Sequence, residues 1–245
     1  MRPSAPDRPA APPADGAETA RSVAIIMDGN ARWAAARGLA VEEGHRAGAR
    51  ALRRTVEAAL SVGVRSLAVY AFSTENWARP PDEVESILAL MSETIDRELP
   101  ELARHGVRTR FIGRRDRIPA DLREKMALLE RVTAGNEKLL LWIAFDYGGR
   151  SELVAAAQRL LASGIAPEAV TEETLARHLY APDLPDPDLV IRTSGEKRLS
   201  NFLLWQSAYA ELVFTDTLWP DFGEADLRAA LEEFAMRARR FGGRS

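Results

Sequence analysis

Residues 23–33 read VAIIMDGNARW, and they join an apolar run to a polar turn. Its run of β-branched and apolar residues predicts a buried strand, which stops at the tight turn Asp28-Gly29-Asn30. In an open α/β sheet, ligands bind beyond the carboxyl ends of the strands, where the loops diverge. Asp28 is expected at that edge, with Arg32 beside it. A carboxylate, free backbone amides and a guanidinium together favour a metal-bound phosphate as the ligand.

The composition is that of an ordinary soluble globular chain. The 245 residues are 46% hydrophobic and 28% charged, and the net charge of -3 disfavours non-specific nucleic-acid binding. The absence of cysteine excludes disulfides and thiolate metal sites. No apolar run reaches membrane-spanning length, and the Pro/Ala-rich start lacks the apolar core of a signal peptide. We therefore expect a cytoplasmic protein with a disordered tail at residues 1–21 and one domain at residues 22–245.

Short apolar runs alternate with helical patterns about five times along that domain. The patterns between the runs carry apolar residues at helical spacing, as Leu88, Met91 and Ile95 do. This alternation predicts an α/β fold, a single domain with a mostly parallel central sheet of about six strands flanked by helices.

Polar segments follow four of the predicted strands, at residues 28–30, 73–79, 146–150 and 192–200. Each segment alone is more often an ordinary turn, but the carboxyl ends of parallel strands meet at one edge, which favours a shared site. The side chains suited to phosphate oxygens are Arg32, Arg79, Arg192, Arg198, Ser73, Ser194 and Ser200. Asp28 and Glu211 are the carboxylates that we expect to hold Mg²⁺, which prefers a few carboxylates together with substrate phosphates.

Several longer motifs resemble those of cis-prenyltransferases. They are MDGNARW at 27–33, GH at 44–45, YAFSTENWARP at 70–80, YGGR at 147–150, DLVIRTSGE at 188–196, SNFLLWQ at 200–206 and YAEL at 209–212. The resemblance covers about residues 22–243 and is closest to the undecaprenyl diphosphate synthase type. It implies the cis-prenyltransferase fold with an apolar tunnel, and a homodimeric, Mg²⁺-dependent enzyme.

The activity that this resemblance implies is the addition of isopentenyl diphosphate to an allylic diphosphate, such as farnesyl or geranyl diphosphate. Each new double bond would be cis, and the product would be a precursor of an undecaprenyl-type, cell-wall carrier lipid. The enzyme would bind no nucleic acid and would contact membranes at most peripherally, for product release. The chain has no Asp-Asp-x-x-Asp pattern, which leaves the trans-prenyltransferase route unsupported.

The resemblance also implies individual roles. Asp28 would hold Mg²⁺ and assist departure of the allylic diphosphate, Glu211 would be a further metal ligand, and Asn76 would take part in proton removal. The other residues implied in substrate binding are Gly29, Asn30, Ala31, Arg32, Trp33 and His45 for the allylic diphosphate, Ser73, Thr74, Glu75, Trp77 and Arg79 for the reacting centre, and Arg192, Arg198 and Ser200 for isopentenyl diphosphate. Arg240, in an Arg-x-Gly tail at 240–242, would reach into the partner subunit's site.

Some positions depart from the family pattern. Val41 stands where an arginine commonly helps to bind the allylic diphosphate, unless Arg37 compensates, and Lys197 stands where some members have a metal-contacting His. Trp142 and Phe145 are bulkier than usual, and either would shorten the product if it faced the tunnel.

These departures keep a second hypothesis open, a shorter-chain or atypical cis-prenyl diphosphate synthase of specialised metabolism. A metal-dependent phosphatase with Asp28 as nucleophile is a distant alternative, because Asn30 stands where a second acid is needed. A non-catalytic partner subunit is disfavoured because it would not need Asp28, Asn76 and Arg192.

Overall fold

The computed structural model describes residues 19–237, and within them six strands form one parallel sheet. The strands are β1 (Ser22–Ile26), β2 (Ser66–Ser73), β3 (Val107–Ile112), β4 (Leu139–Tyr147), β5 (Leu189–Arg192) and β6 (Glu211–Phe214). Their order across the sheet is β3-β4-β2-β1-β5-β6, and each pair of neighbours is parallel. The predicted α/β fold with a parallel sheet of about six strands is confirmed.

Helices connect the strands and cover the sheet. They are α1 (Asn30–Ala35), α2 (Val41–Ser61), α3 (Pro81–His105), α4 (Ala120–Val132), α5 (Gly149–Ala162), α6 (Glu172–Ala176) and α7 (Glu224–Ala235), with single 3₁₀ turns at Thr74–Ala78, Pro167–Ala169 and Trp219–Asp221. α3 begins at Pro81, whose missing N–H costs nothing in a first helical turn, and it ends before Gly106, which adopts the left-handed conformation common after a helix.

Apolar side chains form a separate layer on each face of the sheet, because successive strand residues point to opposite sides. One layer holds Ile25, Val69, Leu141 and Ile143 with apolar residues of α2, α3, α4 and α7. The other holds residues such as Trp142, with the aromatic and aliphatic side chains of the segments around 180–184 and 199–203. A strand side chain can therefore line a cavity only on the face of the sheet to which it points.

The ends of the chain lie outside the described residues, apart from a short part of the predicted tail. Of residues 1–21, the structure describes the last three; Ala20 is buried in the core, and the backbone N–H of Arg21 donates to Asp188 Oδ2 at 2.9 Å. Arg240 and the rest of the Arg-x-Gly tail also lie outside. In residues 19–237, every helix is too short or too polar to span a bilayer.

Candidate active site

The polar ends of β1, β2, β4 and β5 lie at the same edge of the sheet, as predicted. Ile26 at the end of β1 pairs with Tyr70 on one side and with Arg192 on the other. Ser73 at the end of β2 pairs with Tyr147 at the end of β4. The segments that follow these strands therefore all begin at the carboxyl-terminal edge of the sheet and can form a common site.

A buried ion pair joins the first and last of these segments. Arg192 Nη2 donates to Asp28 Oδ2 at 2.9 Å, and Arg192 Nη1 donates to Ser200 Oγ at 2.5 Å and to the carbonyl oxygen of Arg198 at 2.6 Å. The Arg192 side chain is only 5% exposed, whereas that of Asp28 is 30% exposed. The guanidinium is therefore fixed in place, and one side of the carboxylate faces solvent.

The charge of Asp28 is set by this environment. Burial by itself raises the pKa of Asp28, but the hydrogen bond and positive charge of Arg192 lower it, as do Ser194 and Arg32 to a smaller extent. The net effect holds the pKa of Asp28 below its ordinary value of 3.8. Asp28 is therefore an anion at neutral pH, as a ligand for a cation must be.

Two further arginines are more exposed than Arg192. Arg32 donates from Nη1 to the carbonyl oxygen of Ser194 at 3.0 Å and from Nη2 to Ser194 Oγ, and it lies 3.5 Å from Asp28 Oδ1. Arg198 is paired with Glu196, and its side chain is 60% exposed. Because exposed side chains reorient at little cost, these two can turn towards a phosphate while Arg192 remains fixed.

The segment that carries Ser200 has an unusual backbone. Ser200, Asn201 and Leu203 all have positive φ, of 48°, 66° and 43°. A non-glycine residue in this region costs roughly 1–2 kcal/mol, so the surrounding contacts must impose the conformation. Asn201 provides several of them: its carbonyl oxygen and Oδ1 accept the N–H groups at the start of α5, and its Nδ2 donates to Glu75 Oε1 at 2.8 Å.

The turn after β2 places residues 73–79 beside this segment. The N–H of Ser73 donates to Asn76 Oδ1 at 3.0 Å, which closes the 3₁₀ turn, and Thr74 Oγ1 donates to Glu75 Oε2 at 3.1 Å. Trp77 Nε1 donates to Asp146 Oδ1 at 2.8 Å. The Asn76 amide oxygen is occupied by the backbone, so the role of Asn76 in proton removal stays a prediction.

Arg79, Glu83 and His45 form a partly buried cluster on the α2–α3 side of the site. Arg79 Nη1 donates to Glu83 Oε1 at 2.8 Å, and His45 Nε2 lies 3.6 Å from the same oxygen. Burial and then the charge of Arg79 lower the pKa of His45 below its ordinary value of 6.5, and Glu83 opposes this in part. His45 is therefore neutral at pH 7.

Two buried polar atoms in this region have no hydrogen-bond partner among residues 19–237. They are His45 Nε2 and Asn30 Oδ1. The helices α1 and α2 approach closely here: a Cβ at Gly44 would lie 2.2 Å from the carbonyl oxygen of Asn30, and a Cβ at Gly48 would lie 2.5 Å from Asn30 Oδ1. Unpaired buried polar atoms are costly, and a ligand that supplies hydrogen bonds here would remove that cost.

Trp33 lies within α1 and is partly exposed, and Ala31 on the same helix is exposed. Trp33 Nε1 donates to Asp221 Oδ1 at 2.7 Å, and the Arg37 guanidinium lies 4.2 Å from the centre of the Trp33 ring. Arg37 also pairs with Asp221 at 3.1 Å. Arg37 contacts Trp33 and Asp221 in this structure, and its compensating for the arginine replaced by Val41 stays a prediction.

A mostly apolar cavity begins at this edge and extends between α2, α3 and the sheet. Its open space is about 1070 Å³, including the part continuous with solvent. Met27, Asn30 and His45 line one end, and Leu102 and His105 line the other. The apolar residues of α3 and β4 that line it include Met91, Ile95 and Leu141, which fits the apolar tunnel that the resemblance implies.

Trp142 does not face this cavity, so the condition under which it would shorten the product is not met. Leu141 and Ile143 face the cavity, and Trp142 between them points to the opposite face of the sheet, where it packs with residues such as Ala68. Phe145 shares the cavity side of the sheet but packs against Phe72, with ring centroids 5.3 Å apart, beyond the lining. Neither side chain gives a reason for a shorter product.

Glu211 does not lie beside Asp28 within the chain, so its role as a metal ligand stays a prediction. Glu211 is the first residue of β6 and pairs with Leu189, which in turn pairs with Val23. Because Val23 lies about 10 Å before the last residue of β1, Glu211 is at the amino-terminal edge of the sheet. Its Oε2 accepts a hydrogen bond from Arg237 Nη1 at 2.9 Å.

Some residues that shape the site were not among those predicted. Thr193 Oγ1 accepts the N–H of Asp28 at 2.9 Å and donates to the Asp28 carbonyl oxygen at 2.6 Å, which fixes the backbone of that residue. Asp146 and Asn201 form hydrogen bonds with two side chains of the 74–78 turn, those of Trp77 and Glu75. Thr193 and Asn201 lie inside the quoted motifs, but their partners are distant in sequence, which hides the contacts.

A parallel sheet with a carboxylate, exposed arginines and a long apolar cavity at one edge is the arrangement of an α/β protein suited to a ligand with a phosphorylated head and an apolar tail. The chain belongs to the prenyltransferase family described as "Putative undecaprenyl diphosphate synthase", whose profile matches residues 26–242. The predicted family membership is confirmed.

Curated relatives of this family match nearly the whole chain. A ditrans,polycis-undecaprenyl-diphosphate synthase ((2E,6E)-farnesyl-diphosphate specific) of Xanthomonas axonopodis pv. citri is 51% identical over 238 residues, which cover 96% of this chain and 93% of the relative. A trans,polycis-polyprenyl diphosphate synthase ((2Z,6E)-farnesyl diphosphate specific) of Thermobifida fusca is 52% identical over 227 residues, covering 91% and 80%. Lavandulyl diphosphate synthase from Lavandula x intermedia, solved with dimethylallyl diphosphate, superposes with a TM-score of 0.88 at 35% identity, covering 91% of this chain and 98% of that chain.

Proposed function

We propose that the chain is a Mg²⁺-dependent cis-prenyltransferase that condenses isopentenyl diphosphate with an allylic diphosphate, giving a cis-polyprenyl diphosphate for an undecaprenyl-type carrier lipid. The observation that carries the proposal is that a cluster of anion-binding side chains meets an apolar cavity. Met27 and Asn30 flank Asp28-Gly29 and also line the end of that cavity. A charged head and a growing hydrocarbon tail therefore have adjacent binding regions.

The residues at the edge fit a metal that is shared with substrate. Within residues 19–237, the acidic, His and Cys side chains nowhere form a group of three that could hold a metal ion alone. Asp28 is anionic and partly exposed, which suits Mg²⁺, because this ion is commonly bound by one or two carboxylates together with substrate phosphates. When bound, Mg²⁺ would neutralise the charge that develops on the departing diphosphate.

The side chains around Asp28 would divide the two diphosphates between them. Gly29, Asn30, Arg32 and His45 would bind the allylic diphosphate, next to the cavity that would take the apolar tail. Arg192, Arg198 and Ser200 would hold isopentenyl diphosphate. Fixed positive groups stabilise a leaving diphosphate best when they need no reorganisation, and the buried Arg192 meets that condition.

The identity of the primer and the product length are separate questions. Relatives equally similar to this chain differ in the farnesyl isomer that their names specify, so overall similarity does not select a primer. A shorter-chain synthase remains the second candidate. It is favoured by Val41, which puts an apolar side chain and no positive charge at the start of α2.

The test is an assay of the purified full chain with Mg²⁺ and labelled isopentenyl diphosphate. Geranyl, (2E,6E)-farnesyl and (2Z,6E)-farnesyl diphosphate are supplied in parallel, and the dephosphorylated products are sized by chromatography. We expect long cis products, and their loss in Asp28→Ala. A single short product would support the second candidate, and phosphate release without chain extension would support a phosphatase. Near-normal turnover of Asp28→Ala would refute the role of Asp28.

The assembly and the location of the enzyme belong to the same proposal. We expect a cytoplasmic homodimer in which Arg240 of each chain contributes to the partner subunit's isopentenyl diphosphate site, with at most peripheral membrane contact. Sedimentation of the full chain tests the dimer. Mixing Arg240→Ala with Asp28→Ala chains tests the exchange, because mixed dimers would regain one complete site only if Arg240 acts across the interface.

A further inference from the structure

A fully buried carboxylate lies at the end of β4, outside the set of residues to which the proposed reaction gives a role. Asp146 has 0% exposure. Its Oδ1 accepts hydrogen bonds from Trp77 Nε1 at 2.8 Å and from Arg117 Nη2 at 2.6 Å, and Arg117 Nε lies 3.3 Å from its Oδ2. A buried charge needs such partners to be tolerated, so Asp146, Arg117 and Trp77 form one unit.

The backbone around Asp146 is shaped to hold it in this position. A Cβ at Gly113 would lie 2.1 Å from the carbonyl oxygen of Phe145, so only glycine lets the loop after β3 approach β4 so closely. The N–H of Arg114 then donates to the Asp146 carbonyl oxygen at 3.0 Å. Asp146 itself has a positive φ of 49°, which is unfavourable for a side-chain-bearing residue. The loop that carries Arg117 therefore packs directly against the backbone of Asp146.

The Trp77 ring is held on its face as well as at its N–H. The Arg117 guanidinium lies 4.9 Å from the centre of the ring, and Phe72 meets the ring edge-on with centroids 5.2 Å apart. Cation–π and edge-to-face contacts both fix the plane of an aromatic ring. The ring of Trp77 consequently has one defined orientation, which Asp146 and Arg117 set together.

This orientation extends to the neighbours of Trp77 along the chain. Trp77 lies within the single 3₁₀ turn Thr74–Ala78, directly after Asn76, and the N–H of Arg79 donates to the Asn76 carbonyl oxygen at 3.1 Å. One turn of 3₁₀ helix has few hydrogen bonds of its own. A rotation of Trp77 would therefore displace Asn76 and Arg79 as well.

We propose that Asp146, with Arg117 as its counter-ion, is a positioning residue that fixes Trp77 and thereby places Asn76 and Arg79 at the reacting centre. The inference rests on the proposed function for the role of the turn and on the structure for the contacts. A purely structural ion pair would stabilise the fold equally well with any partner. This pair instead shares its carboxylate with the indole N–H of a residue in the site.

The contacts are tested without substrate, by ¹⁹F NMR of the full chain labelled with 5-fluorotryptophan. The chain has five tryptophans, and Trp77→Phe assigns the resonance of Trp77. We expect Asp146→Ala to shift or broaden that resonance and Asp146→Asn to restore much of its position, because the Asn oxygen still accepts the indole N–H. The matched control is Asp116→Asn in the same loop, which removes an exposed pair with Arg114 and should leave the resonance unchanged.

Steady-state kinetics with isopentenyl and farnesyl diphosphates test the consequence. We expect Asp146→Ala to lower kcat by on the order of tenfold to a hundredfold, the scale of a small misplacement of reacting groups, and Asp146→Asn to recover most of it. In a Trp77→Phe background the effect of Asp146→Ala should be much smaller, since the two act through one hydrogen bond. If Asp146→Ala does not fold, Asp146→Asn and Arg117→Gln are compared in the same way.

Three results would overturn the inference. One is an unchanged Trp77 resonance in Asp146→Ala. Another is an Asp146→Ala variant that has a lowered melting temperature but a wild-type kcat when assayed well below that temperature. This is the behaviour of a purely structural ion pair. The third is full additivity of Asp146→Ala and Trp77→Phe. A wild-type chain that extends no primer would refute the proposed function instead, while the NMR arm would still report on Trp77.

Discussion

A tryptophan placed midway along the apolar cavity should shorten the product. Thr94 of α3 lines the cavity between Ile87 and His105. At about 1.5 Å per residue, the lining residues of α3 span about 27 Å from Ile87 to His105, and Thr94 lies about 10 Å along that path. Thr94→Trp therefore blocks the cavity at roughly 40% of its length along the helix. We expect the main product to contain fewer than half of the isoprene units that the wild type adds.

The assay compares chain-length distributions at equal extents of primer consumption, with labelled isopentenyl diphosphate and chromatography of the dephosphorylated alcohols. Ala89→Trp is the matched control, because Ala89 lies on the exposed face of the same helix. Its products should match those of the wild type. An unchanged distribution for Thr94→Trp, in a variant that is folded and active, would show that the chain grows elsewhere and that the cavity is not the predicted tunnel.

Three further predictions concern charge. Val41→Arg should lower the KM for the allylic diphosphate about fivefold, the effect of roughly 1 kcal/mol from one added phosphate contact; an unchanged KM would show that position 41 does not reach the substrate. The lowered pKa of Asp28 means that its ionised form stabilises the fold above pH 3.8, and that this contribution is lost as the pH falls through the native pKa. The difference in urea-unfolding free energy between wild type and Asp28→Asn should therefore shrink below pH 3.8, and a constant difference would contradict the assigned pKa. By NMR, His45 should titrate below 6.5, and lower still in Glu83→Gln because Glu83 raises its pKa; an upward shift in that variant would contradict the contact.

The fold could be predicted from the sequence because its signals are local. The bounds of α3 and β3 are readable in the sequence, because Pro81 marks the start of the helix and Gly106 separates the helix from the strand. The convergence of the polar segments followed from the parallel sheet alone. Side chains alternate along β4, so Trp142 must point to the face of the sheet opposite to Leu141 and Ile143. The sequence alone does not show which of the two faces lines the cavity.

The differences concern information that is not local. The metal-ligand pattern favours Glu211 near Asp28, but the sequence does not show that this acid is the first residue of a strand and so lies at the amino-terminal ends of the strands. The contact between Arg117 and Asp146 spans 29 positions of the chain and depends on the close approach at Gly113. Such pairs depend on how two loops meet in space, and no periodicity or spacing within either loop predicts that meeting.

The turn at 74–78 links the two halves of the site because it is held from opposite sides. On one side Trp77 is bound to Asp146, and on the other Glu75 accepts a hydrogen bond from Asn201, the residue after Ser200. Ser200 contacts Arg192, so the position of the turn depends on the same strained segment that orients the residues proposed to bind isopentenyl diphosphate. Backbone strain persists only where neighbouring contacts outweigh it. Under the proposed function, the positive φ angles of Ser200, Asn201 and Leu203 would be the conformational cost of setting the distance between the two proposed diphosphate sites. A chain-extending reaction must keep that distance constant through every addition.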